Sequence, residues 1–120
     1  MRRIILSTFL FVFLMACTTE NKNRHVFHYV ITGNSSKAYD LYGKMGPGIE
    51  FSSPTIDIPF EVTHEVYGTE LEYELRISDS DNTHKYNVQV FVDDKLVNQN
   101  DKFDNSYNPA RVGVKGTFIQ

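Results

Sequence analysis

Leu71-Glu72-Tyr73-Glu74-Leu75-Arg76-Ile77 alternates apolar and charged side chains without a break. In an extended chain that period of two sends one set into a core and the other into water. Lys85-Tyr86-Asn87-Val88-Gln89-Val90-Phe91-Val92 repeats the arrangement, with Tyr86, Val88, Val90 and Val92 on one face. The connector Ser78-Asp79-Ser80-Asp81-Asn82-Thr83-His84 is made of turn-forming residues, so the two stretches are predicted to form an antiparallel hairpin or adjacent strands. Asp93-Asp94 then separates Phe91-Val92 from Lys95-Leu96-Val97, a two-residue tight-hairpin signal for which Asn-Gly or Asp-Gly would be stronger.

Further strands are predicted at Val26 to Thr32, Ala38 to Tyr42, Ile49 to Phe51, Thr55 to Val62 and Arg111 to Ile119. Beyond residue 16 no stretch keeps a helical apolar spacing, and β-branched and aromatic residues dominate the apolar set. About seven short strands with Gly, Pro, Asn and Asp turns predict an all-β fold, an antiparallel β-sandwich. An open barrel of the OB type is the alternative, because periodicity fixes neither strand order nor closure.

The first residues follow another rule. Met1-Arg2-Arg3 is basic, and Ile4 to Met15 is apolar apart from Ser7 and Thr8, the layout of a signal helix for export. Such a run of helix would rise about 18 Å against a hydrocarbon core of roughly 30 Å, too little to span it. Leu14-Met15-Ala16-Cys17 resembles the lipobox of bacterial lipoproteins. The resemblance implies peptidase recognition at Leu14, Met15 and Ala16, cleavage before Cys17, and a diacylglyceryl thioether on the Cys17 sulfur. Two or more acyl chains anchor stably where one is marginal. Residues 1–16 are thus expected to be a signal peptide, 17–24 a lipidated cysteine and polar tether, and 25–120 the β-sandwich domain.

Cys17 is the only cysteine, which leaves the folded part no internal disulfide and makes packing its sole support. With Arg2 and Arg3 removed, ten Lys and Arg remain against fifteen Asp and Glu, a net charge of −5. Such a surface repels phosphate backbones, so nucleic acid is not an expected partner.

Several short motifs then fall in order. Tyr29-Val30-Ile31-Thr32-Gly33, Tyr39-Asp40-Leu41-Tyr42, Ile58-Pro59-Phe60, Val90 to Val97 and Gly116-Thr117-Phe118 are spread over most of the chain. Together they resemble the MmpS-like transport accessory proteins and related small bacterial lipoproteins. The resemblance implies an immunoglobulin-like sandwich and an envelope setting. Phe60 stands where that family has Trp, Asp94 stands where it has a turn Gly, and a lipidated cysteine replaces the uncleaved anchor of the namesake proteins. Their role beside lipid exporters is therefore not carried over.

Candidate chemistry is sparse. Asp79-x-Asp81-x-Thr83 begins like a calcium loop, but His84 stands where an EF-hand has Gly and Val90 where it has Glu. A looser site drawn from Asp79, Asp81, Asp93, Asp94, Asp101 or Asp104 would need loops to converge at one end of the sandwich. His25 and His28 fall on opposite faces of a strand, and His64-Glu65 lacks the second His of a zincin. No Gly-x-Ser-x-Gly or phosphate loop occurs, and Gly43 to Gly48 reads as a turn. Tyr73 and Tyr86 are expected in the core, while Phe91 interrupts a polar face and would mark an interaction patch if clustered with Tyr39 or Tyr42.

The expectation is a lipid-anchored, non-catalytic binding or transport-accessory module of the bacterial envelope, without catalytic, cofactor or metal residues. Its partners would be the membrane, through the lipid on Cys17, and another envelope protein. In a double-membraned cell, the lack of an acidic residue immediately after Cys17 would, by resemblance to the usual lipoprotein sorting rule, favour the outer membrane. The rival readings are a calcium- or zinc-dependent ligand-binding or hydrolytic domain, and a structural subunit with an uncovered apolar strand edge.

Overall fold

The computed structural model describes residues 23–81 and 83–120. The signal segment 1–16, the lipobox Leu14-Met15-Ala16-Cys17 and the tether up to residue 22 lie outside them. The described chain is all-β, with β1 (Arg24–Gly33), β2 (Lys37–Met45), β3 (Ile49–Asp57), β4 (Phe60–Tyr67), β5 (Glu70–Asp79), β6 (Tyr86–Val92), β7 (Lys95–Asn100) and β8 (Ala110–Ile119). They form two antiparallel four-stranded sheets, ordered β4-β1-β6-β7 and β3-β2-β5-β8.

The alternation that predicts the strands also builds the core. Phe27, Tyr29 and Ile31 of β1 and Val88, Val90 and Val92 of β6 face Leu41 and Met45 of β2 and Leu71, Tyr73, Leu75 and Ile77 of β5. Removing such side chains from water is the main favourable term in a chain that depends on packing. Two buried tyrosines tie the sheets together: Tyr29 Oη donates to the Lys44 carbonyl, and Tyr86 Oη shares its one hydrogen between the Lys37 carbonyl at 2.7 Å and the Asp79 carboxylate.

Two sequence expectations are corrected. β5 and β6 do not pair, because β5 lies between β2 and β8 whereas β6 lies between β1 and β7. The cause is at the end of β5, where the buried Asp79 carboxylate accepts bonds from Tyr86 Oη, His84 Nδ1 and the Asp81 N–H. These bonds draw the connector across from one sheet to the other. The predicted strand Thr55 to Val62 is also split, since Ile58-Pro59 forms the passage from β3 to β4. Pro59 has no N–H to donate to a ladder and restricts the residue before it, so the pairing stops there.

The Asp93-Asp94 hairpin forms as expected. Both residues have positive φ, 52° and 66°, which is the backbone of a type I′ turn. Gly46, with φ 66°, opens the turn Gly46-Pro47-Gly48 between β2 and β3, and Gly43 belongs to β2.

Candidate functional site

The strand order sets β4 opposite β3 on one side of the sandwich and β7 opposite β8 on the other. The second side is closed: β7 lies against β8, Asn98 Nδ2 donates to Tyr73 Oη at 3.2 Å, and Asn100 Nδ2 donates to the Gly113 carbonyl at 2.9 Å. On the first side the sheets stand apart, and a cleft of about 560 Å³ opens between the two edge strands. That volume lies within the range of roughly 300–1,000 Å³ usual for ligand sites.

The cleft is apolar inside. Ile49 and Phe51 of β3, Phe60 and Val62 of β4, and Leu41 of β2 line it. Phe51 and Phe60 are only half-buried, and their rings lie 6.5 Å apart in a tilted pair. Phe51 can reach this place because Gly43, across the β2–β3 ladder, has no side chain; a Cβ there would stand 2.1 Å from Phe51 Cζ. Behind Phe51 is the ring of Tyr29, 6.3 Å away.

The carboxylate that lines the cleft is Glu50, and on the flanking strands Asp57 is paired with Lys37 at 2.9 Å. From Ile49 to Tyr67 the chain carries Glu50, Asp57, Glu61 and Glu65 and no Lys or Arg. Glu61 accepts from His28 at 2.5 Å, and Glu65 accepts from Arg24 at 2.6 Å and from Tyr67 Oη at 3.0 Å, all on the outer face. Those bonds hold Glu65 below the usual carboxylate range. His64 lies at the rim.

The other sequence candidates are distributed elsewhere. Asp79, Asp81 and His84 gather where β5 passes to β6, and Asp81 there accepts from Thr83, as in an Asx turn. Asp93 and Asp94 form the β6–β7 turn at the opposite pole, whereas Asp104, bridged to Arg111, lies toward the Asp79 end, so the candidate carboxylates are divided between the two poles. Among the described residues no group of three or more His, Cys, Asp or Glu is placed to hold a metal ion. His25 is buried and His28 faces outward, on opposite faces of β1 as expected.

Tyr73 and Tyr86 are core residues, 6% and 2% exposed. Phe91 packs against His28, 5.7 Å between ring centres, on the sheet that does not contain Tyr39 and Tyr42. The aromatic patch envisaged from the sequence therefore does not assemble. Arg76 instead covers the Tyr42 ring at 4.5 Å.

Sequence reasoning passed over Ile49, Phe51, Phe60 and Val62 as a site, since alternation marks faces and not edges. A signal was present in the run from Met45 to Leu75, which contains no Lys or Arg. No family model matches the chain, and no curated protein is significantly similar to it.

Proposed function

We propose that this chain is a lipid-anchored, non-catalytic binding or transport-accessory module of the bacterial cell envelope, moored through Cys17. The observation that carries the binding part is the apolar cleft between β3 and β4, bordered by two strand edges. A half-exposed Phe pair in a concave wall gains by being covered, at about 25 cal/mol per Å² of apolar surface removed from water. The mooring rests on the basic start, the short apolar run and the lipobox-like Leu14-Met15-Ala16-Cys17.

The immunoglobulin-like part of the reading rests on two antiparallel sheets packed face to face. It also draws on two pairings that order shares, second strand with fifth and sixth with seventh. The first strand departs from it, lying between the fourth and the sixth, and eight strands are present.

A photo-crosslinking residue placed at Ser53, on the cleft face of β3 opposite Leu41, tests the binding part in cells. A discrete adduct that disappears in Val62→Asp is the expected result. A Cys17→Ser chain should leave the membrane fraction and give the same adduct poorly. An adduct indifferent to Val62→Asp would remove the cleft from the function, and an unmodified Cys17 in the native product would remove the anchor.

A further inference from the structure

Two sheets have four edge strands, and unpaired N–H and C=O groups on such edges are templates for another chain unless they are blunted. Three of the four are blunted here. β3 carries Pro54, which has no N–H to offer. β7 starts at Lys95 and its pairing with β6 shifts register between Val90 and Phe91. β8 lies against β7 on the closed side.

β4 has none of these devices. Its sequence FEVTHEVY contains no Pro and no Lys, its register with β1 runs unbroken from Phe60 to Tyr67, and among the described residues β1 is its one partner within the sheet. It is also the strand that borders the cleft. A strand added beside β4 would lie about 4.8 Å away, so its inward side chains would lie over the Phe51–Phe60 pair at the mouth of the cleft.

We infer that β4 receives an extended segment of a partner protein by strand addition, with alternate residues apolar and basic. This rests on the binding reading above and names its partner class. The apolar set would continue the row Phe60, Val62 and Val66 into the cleft. The basic set would lie along Glu61 and Glu65 on the outer face, in competition with the His28 and Arg24 side chains that bond them in the free chain.

A second copy of the chain is disfavoured in one antiparallel register. Two β4 strands paired antiparallel about Thr63 would set Glu61 opposite Glu65 twice, and like charges directly opposite are destabilising. An acyl chain would fill the cleft but leave the β4 edge groups bonded to water, as they are in the free chain.

The test uses the full chain purified from membranes in detergent micelles. Two eight-residue peptides are added, one alternating Val and Lys, the other Val and Glu, and backbone hydrogen exchange is followed. The Val/Lys peptide is expected to bind saturably, about tenfold more tightly than Val/Glu. It should slow exchange at alternate amides of β4, and Glu61→Lys should narrow the preference. Binding without protection of β4, or protection of β4 by self-association alone, overturns strand addition while the cleft reading stands. Peptides that neither bind nor compete with an apolar dye for the cleft, with dye binding unmoved by Val62→Asp, overturn both.

Discussion

The His25 imidazole meets two acceptors, Asp93 Oδ2 at Nδ1 and Gln120 Oε1 at Nε2, each at 2.7 Å. The Gln120 orientation is set by its Nε2, which donates to Asn23 Oδ1 at 3.5 Å, so the protonated ring satisfies both contacts. Burial pulls the imidazolium pKa down, but the bonds to Asp93 and Gln120 and the Asp93 charge outweigh it and hold it above the ordinary histidine value. A raised folded pKa gives stability that is complete below the unfolded value, about 6.5, and is lost as pH rises through the folded one. His84, held up by its bond to Asp79, adds a contribution of the same sign. Urea unfolding should therefore show lower stability at pH 8.5 than at pH 6. In His25→Phe that difference should shrink and stability at pH 6 fall by about 1–3 kcal/mol. A slope unchanged in the variant would place its source elsewhere. Next door, Asp93 and Asp94 share positive φ but not duties, for Asp93 also accepts the Val26 N–H at 2.9 Å. Asp94→Gly should raise the unfolding free energy by about 0.5–1 kcal/mol by relieving the backbone, and Asp93→Gly should lower it by removing two bonded partners.

At the scale of elements, β2 shows a strand shaped by its neighbours. Gly43 admits the Phe51 ring, and Asp40, at φ 50°, sits in a bulge where its carboxylate accepts from Ser78 Oγ at 2.8 Å. Gly43→Val should push Phe51 out of its place and destabilise by about 1–3 kcal/mol in equilibrium denaturation. Unaltered stability would mean that the ring yields freely. Neither feature was legible in the sequence, where Gly43 looked like part of the Gly43 to Gly48 turn and Asp40 like an ordinary strand residue. The faces of β1, β5 and β6 were legible, because alternation is a property of one strand and its burial. Partners were legible only across the two-residue Asp93-Asp94 turn, because elsewhere pairing depends on where a longer connector goes. The Ser78 to His84 segment has the composition of a hairpin turn, yet the bonds converging on Asp79 carry it between sheets. The cleft was illegible for the same reason: it exists only once β3 and β4 are known to be edges facing each other.

For the whole molecule, the consequence of that order is an asymmetric sandwich, stitched by Asn98 and Asn100 on one side and parted on the other. Folding and binding then draw on different phenylalanines. Phe27 is fully buried between the sheets, in edge-on contact with Tyr29 and Phe118, while Phe60 is half-buried at the mouth of the cleft. Removing a buried Phe side chain forfeits its transfer free energy and leaves a cavity, so Phe27→Ala should destabilise by about 3–5 kcal/mol. At Phe60 the ring is already partly in water and the space beside it is open, so no closed cavity can form. Phe60→Ser should stay within about 1.5 kcal/mol of the parent in denaturant unfolding. The same change removes one wall of the Phe51–Phe60 pair and should weaken the uptake of an environment-sensitive apolar dye several-fold, which the Phe27 change cannot do without unfolding the chain. Equal losses of stability at the two positions would mean that the sheets close over Phe60 in solution. The side facing away from β7 and β8 would then be core rather than a place of contact.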